Sequence, residues 1–183
     1  MTLPAGLRDN NYEFFADDNR ACFITQGAVA EVDKLSEQML QAIESELGKY
    51  PEKLKGINKM GVSGRLPVIN QFMICNYGGF DSKPDLVNYQ LGETEYWPCP
   101  KRGTCAFEGI VCDGLRTNTG EVLSKREIEV VKHIATGELD KNIAHNLNIS
   151  HSTLTTHTRN IRRKTKLFRK ADITRFAYEN TLI

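Results

Sequence analysis

Apolar positions over 29–47 recur at steps of three and four (Val29, Val32, Leu35, Met39, Ile43, Leu47). That spacing predicts one long helix of about five turns with a single apolar stripe, closed by Gly48 and Pro51. The stripe reads as core packing, with a dimer seam as the alternative. The run over 66–75 is different: it is nearly continuously apolar, and its second half (Gln71, Phe72, Met73, Ile74, Cys75) predicts a short strand. Residues 1–20 mix Asn, Asp and a few aromatics without a period and predict no element. Over 76–120 the chain is punctuated by Gly78, Gly79, Pro84, Pro98, Pro100, Gly103, Gly109, Gly114 and Gly120. An irregular stretch of that length needs something to tie it down.

From Leu123 onward the pattern becomes short helical segments joined by tight turns. Ser124 followed by Glu127 forms a Ser-x-x-Glu capping box that starts the first helix, with Ile128, Val131 and Ile134 facing inward. Gly137 stands where a left-handed terminal residue is needed. Asp140 is the expected cap of the second helix, whose Ile143, Ala144 and Leu147 share a face. Asn148 suits the left-handed turn, Ile149 plugs the core, and Ser150 caps the third helix. In that helix Leu154 and Ile161 point inward, while Thr155, Thr156, Arg159, Arg162 and Arg163 point outward. A fourth helix is expected over 170–178, with Ile173, Phe176, Ala177 and Tyr178 at helical spacing.

Charge sharpens this picture. The chain's net charge of +1 hides an asymmetry: residues 1–120 sum to −4 and residues 121–183 to +5. Seven basic and no acidic residues lie between His151 and Lys170. A hydroxyl- and guanidinium-bearing helix face can reach base edges and phosphates, so a helix-turn-helix gripping duplex DNA is expected. No apolar run reaches the length that spans a bilayer, and the N-terminus lacks the layout of a secretory signal. The expected location is the cytoplasm, where the five cysteines would stay reduced. No phosphate-binding loop, hydrolase motif or nucleophile elbow is present, so a catalytic activity is not expected.

The run Leu-Ser-x-Arg-Glu-x-Glu-Val-Val from Leu123, Lys141-Asn-Ile-Ala144, Leu147-x-Ile-Ser150, Thr153-Leu154 and His157 with Asn160-Ile161 resembles the LuxR-type (NarL/FixJ-like) DNA-binding domain in order and spacing. The resemblance covers the C-terminal third. It implies a four-helix domain of a bacterial transcription regulator that is usually dimeric through its fourth helix and reads the major groove with its third. By position, it implies base contacts from Thr155, Thr156 and Arg159, and backbone contacts from Lys141, Ser150, Thr153 and Arg163; Ser152, Asn160 and Lys164 complete the DNA-binding candidates. The chain departs from the family at Thr155, where Lys is common, at Thr165-Lys166, where Leu-Gly is usual, and at Arg169, where a Ser cap is usual. These departures bear on base preference and on the geometry of a helix-four dimer. Region four of sigma factors shares the three-helix pattern, but the fourth helix and the short N-terminal part speak against it.

The N-terminal part resembles neither common partner of such domains. A receiver would need an acceptor Asp at the end of a strand near residues 50–60, and Asp17-Asp18 lacks the accompanying α/β pattern; acyl-homoserine-lactone domains are longer and richer in aromatics. What stands out is Cys75 with the C-x5-C-x6-C run of Cys99, Cys105 and Cys112, set among Gly and Pro. Turn residues let such a chain double back so that thiolates converge. Every histidine lies in the DNA-binding part, so a metal site here would be built on cysteine. Three readings stand together: zinc in a four-thiolate shell, an iron–sulfur cluster (the spacing loosely resembles the three-cysteine run of iron–sulfur repressors, and Cys-Pro is frequent near clusters), or ordinary reduced or redox-active thiols. Cys22, in an Ala-Cys-Phe-Ile run, is expected to be a small core residue.

The expected architecture is thus an α+β N-terminal region over 1–115 (one long helix, a short strand and a loop-rich Cys segment), a linker over 116–122, and an all-α four-helix helix-turn-helix domain over 123–183. The expected function is sequence-specific transcriptional regulation, responsive to metal or redox state through the cysteines. The expected partners are double-stranded DNA, a second copy of the chain when DNA-bound, and RNA polymerase, with no membrane. The alternative is a metal-containing adaptor whose helix-turn-helix contacts the transcription machinery rather than DNA.

Overall fold

The computed structural model describes residues 3–102, 104–180 and 182–183. The chain divides into two compact units, Met1–Asp113 and Gly114–Ile183.

The first unit opens with an antiparallel meander of β1 (Glu13–Asp17), β2 (Arg20–Thr25) and β3 (Ala28–Glu31). The register pairs Phe14 with Phe23 and Phe15 with Cys22, so alternate residues of β1 and β2 face the core. A 3-10 turn, Val32–Lys34, leads to α1 (Glu37–Gly48), α2 (Pro51–Lys59) and α3 (Arg65–Asn76). A two-stranded hairpin of β4 (Leu86–Val87) and β5 (Gln90–Leu91) follows, turning through Asn88 and Tyr89, both at positive φ. The core joins Phe14 and Phe23 of the sheet to Leu40 and Ile43 of α1, Ile57 of α2, and Ile69, Phe72 and Met73 of α3. Each such side chain contributes roughly 1.5–3 kcal/mol on burial.

Two expectations change here. The single helix over 29–47 is interrupted: Val29 is exposed on the edge strand β3 opposite Ile24, and the helix begins only after Ser36, whose hydroxyl accepts the Met39 N–H at 3.4 Å. Spacings of three happen to bridge a strand, a 3-10 turn and a helix. The strand expected over 71–75 is the last turn of α3. A short apolar run does not distinguish a buried strand from a helix packed on several sides, and Ile69, Phe72, Met73 and Ile74 are buried around this helix. Pro67 fits within its first turn, where the N–H it lacks has no intrahelical partner to lose.

The second unit begins with a hairpin-like segment rather than a free linker. Leu123 N–H donates to Leu115 O at 2.9 Å, Arg116 bridges Val122, and the turn closes through Gly120 at φ +80°. Leu115 and Leu123 are both buried. Four helices follow: α4 (Lys125–Ala135), α5 (Asp140–Asn146), α6 (His151–Thr165) and α7 (Lys170–Glu179). Their core is built from Ile128, Val131 and Ile134, Ile143 and Leu147, Leu154 and Ile161, and Ile173 and Ala177.

Candidate nucleic-acid interface

The positioning of α6 follows from local signals. Ser124 accepts the Glu127 N–H at 3.3 Å while Glu127 accepts the Ser124 N–H at 2.7 Å, completing the expected capping box at the start of α4. Gly137 and Asn148 take the left-handed conformation, at φ +81° and +52°, and turn the chain between α4, α5 and α6. Ser150 caps α6 by accepting the Thr153 N–H at 3.1 Å. At α5 the cap is Leu139, without a side-chain bond; Asp140 is the first helical residue and pairs with Lys170 at 2.8 Å.

With Leu154 and Ile161 packed inward, α6 leaves Ser152, Thr153, Thr155, Thr156, Arg159 and Arg163 exposed on its outer side, and Asn160 is half-buried. The Thr155 and Thr156 hydroxyls donate to the carbonyls of His151 (2.9 Å) and Ser152 (3.1 Å) one turn back. Their protons are therefore committed to the helix, and their free lone pairs face outward as acceptors. Ser150 shares its hydroxyl with Ser152 and Thr153 at 2.8 Å each, a polar rim at the N-terminal end of α6. Lys141 is exposed on α5.

The basic residues near the end of α6 divide into two groups. Arg159 is exposed. Arg163 is exposed but bound to Glu121, Nη1 lying 2.8 and 2.9 Å from the two carboxylate oxygens. Lys164 turns inward: its ammonium lies 2.8 Å from Glu127 Oε2 and donates to Val122 O at 2.9 Å. The Lys164 carbonyl in turn accepts the hydroxyls of Thr117 (2.9 Å) and Thr119 (2.5 Å). Burial would push the Glu127 carboxyl up, but Lys164 and the Ser124 N–H together hold it below the ordinary carboxylate range. Lys164 thus locks the segment over 114–122 onto α6 and α4, a role that nothing in the local sequence signals. The helix ends at Lys166, in the left-handed conformation at φ +57°.

In the first unit the structure brings all four singled-out cysteines to one place. Cys75 comes from the last turn of α3, and Cys99, Cys105 and Cys112 from the irregular loop after β5; all four line one cavity of about 390 Å³. They are half-buried free thiols, whereas Cys22 is buried on β2, away from that cavity. Burial pushes the Cys75 thiol up to about 11, against the opposing effect of the Gln71 amide, which donates to its sulfur at 3.1 Å. Among the described residues no group of three or more His, Cys, Asp or Glu side chains is arranged to hold a single metal ion.

Also among the described residues, no helix is long and apolar enough to cross a membrane. Neither the comparison with curated proteins nor that with solved structures found a match. Residues 121–177, less than a third of the chain, match the family model of bacterial regulatory proteins, luxR family, so the similarity lies in the C-terminal third of the chain.

Proposed function

We propose that the protein is a sequence-specific transcriptional regulator that acts in the cytoplasm by binding rather than catalysis. In this reading α4–α7 form a four-helix DNA-binding domain that lays α6 into the major groove. The observation that carries it is the outer face of α6: Arg159 exposed beside two threonine acceptors, over a helix held rigid by the buried Leu154 and Ile161. Arg159 has the reach and the donors to read a guanine edge, and Thr155 and Thr156 offer acceptors and methyl groups to their own bases. Lys141, Ser150, Ser152, Thr153, Asn160 and Arg163 would hold the phosphates. Lys164 is left out of the contact set because its ammonium is occupied internally.

Two copies on two half-sites would double the small footprint of one α6, and RNA polymerase is the second partner such a regulator would meet. Control would come from the first unit through its four cavity-lining thiols. The test is binding of the full chain to a random duplex library, followed by footprinting on the enriched sequence. The expected result is protection of two half-sites about one helical turn apart, with affinity falling steeply with salt. Binding to no duplex, or salt-insensitive binding, would overturn the reading and favour a protein-contacting adaptor.

A further inference from the structure

Among the described residues, the loop that carries three of the four cysteines has no helix or strand from Gly92 to Asp113. It is a succession of tight turns: Arg102 N–H donates to Cys99 O at 2.9 Å, Cys105 N–H to Lys101 O at 2.9 Å, and Glu108 N–H to Cys105 O at 3.2 Å. Pro98 and Pro100 flank Cys99. A loop of this length costs conformational entropy, which Val111 in the core and Trp97 and Phe107 packed against it offset in part. Its cysteines nevertheless meet Cys75 around a common space, walled on the apolar side by Ile74, Trp97, Phe107 and Val111.

Four thiolates on one zinc ion, each at about 2.3 Å, stand roughly 3.8 Å apart and enclose no cavity. Here the four thiols border a volume of about 390 Å³, and no such set among the described residues is arranged around a single ion. A polynuclear group, with cysteines bound to different metal atoms, needs sulfurs that surround a space.

The hydrogen-bond donors agree. Sulfur already receives two N–H groups: Gln71 Nε2 on Cys75 at 3.1 Å and Phe107 N on Cys105 at 3.4 Å. Two further buried donors, Trp97 Nε1 and Arg102 Nη2, have no hydrogen-bond partner among the described residues, and both residues line this cavity. An unmade hydrogen bond at a buried donor costs about 1–3 kcal/mol. Sulfide and thiolate sulfur are acceptors, and Arg102, whose Nη1 faces Glu108 at 3.8 Å, brings a cation beside them.

We infer that Cys75, Cys99, Cys105 and Cys112 are the ligands of an iron–sulfur cluster seated in this cavity, with Trp97 and Arg102 donating to its sulfur. The inference rests on the proposed role of these thiols in control and names what they hold. Each thiol releases its proton as its sulfur bonds to iron. Iron, at least half of it ferric in the assembled cluster, and sulfide are supplied from outside the chain, so the chain itself is neither oxidised nor reduced.

The test uses the full chain, purified without oxygen and reconstituted with ferric iron and sulfide in the presence of a thiol, which reduces part of the iron. The expected product is brown, with broad visible absorption and equal amounts of iron and acid-labile sulfide, at least about two of each per chain. Cys75→Ser, Cys99→Ser, Cys105→Ser and Cys112→Ser should each lose most of that iron and sulfide, while Cys22→Ala keeps it. Trp97→Phe should keep the cluster but shift its reduction potential. Colourless protein with one zinc per chain, metal-free protein after reconstitution, or iron retained by all four serine variants would overturn the inference. Should the serine variants fail to fold, the wild-type iron and sulfide content and absorption still decide it. Duplex binding measured on the same samples keeps the two readings apart: a colourless chain that binds DNA loses only the cluster, and a brown chain that binds none loses only the regulator.

Discussion

The Lys164 ammonium lies 2.8 Å from Glu127 Oε2, so the third helix of the C-terminal unit is tied to the capping residue of its first. Glu127 is only 3% exposed, and it serves the Ser124 N–H as well. Lys164→Ala would leave that carboxylate with its backbone donor alone and would also remove the bond to Val122. Because removing one partner of a buried pair is costly, a loss of about 2–4 kcal/mol in the stability of this domain is expected, measurable by denaturant unfolding. Glu127 titrates below its ordinary value when folded, so its contribution is present above the unfolded pKa and fades as pH falls through the folded one. The variant should therefore lose part of the wild-type acid sensitivity below about pH 4.5. The salt slope of duplex binding, in contrast, should not change.

Arg159 and Arg163 should separate base reading from backbone holding. Arg159→Ala is expected to weaken the preferred site by about 1–3 kcal/mol and to flatten discrimination at one base position, as selection from a random library would show. Arg163→Ala should weaken all sequences alike.

Glu121 competes with phosphate for Arg163, holding it at 2.8 Å in an exposed pair. Exposed pairs are weak, so Glu121→Gln costs little stability. It frees one guanidinium and removes a like-charged neighbour of the DNA. A gain of about two- to fivefold in affinity at low salt is expected, shrinking as salt rises; titration at two ionic strengths checks it.

Lys166 ends α6 in a left-handed conformation that suits glycine better than lysine. Lys166→Gly should raise the stability of the domain by about 1 kcal/mol, read as a higher unfolding midpoint. A fall in stability would mean that the lysine side chain contributes something its geometry does not reveal.

Burial sets the pH response of the first unit. It raises Glu13 to about 8, Asp85 to about 9 and Glu95 to about 7. Each carboxyl accepts a backbone N–H, from Asp81 (2.6 Å), Phe14 (2.8 Å) and Gly79 (2.7 Å) respectively. Groups with raised folded values stabilise fully below their unfolded pKa and lose that contribution as pH rises through the folded one. The unit should therefore weaken steadily from about pH 5 to about pH 9. Glu13→Gln keeps the acceptor for Asp81 and cannot ionise, and should flatten this decline; thermal unfolding at pH 5 and pH 8 measures it.

The helix-turn-helix could be read from the sequence because its signals are local. Ser124 and Glu127 lie one turn apart, Gly137 and Asn148 each specify their own backbone conformation, and Ser150 caps the helix beside it. Such features depend on neighbours three or four residues away and survive without knowledge of the rest of the chain. The meander in the first unit has no comparable local signature: Phe14 finds Phe23 across a turn, and Val29 joins the sheet as an exposed edge residue. Helix α3 read as a strand because it is buried on several sides, which erases its period.

The sequence by itself determined that four cysteines stand among turn residues and that a basic helix follows a capped pair, since composition and short spacing suffice for both. Only the tertiary structure decided that Cys75 on a helix faces three thiols from a loop 24 to 37 residues later, around a space rather than a point. It also decided that Lys164 belongs to Glu127. In both cases the partner is set by how distant segments pack, and the charge or thiol chemistry at one position carries no record of which distant group will meet it.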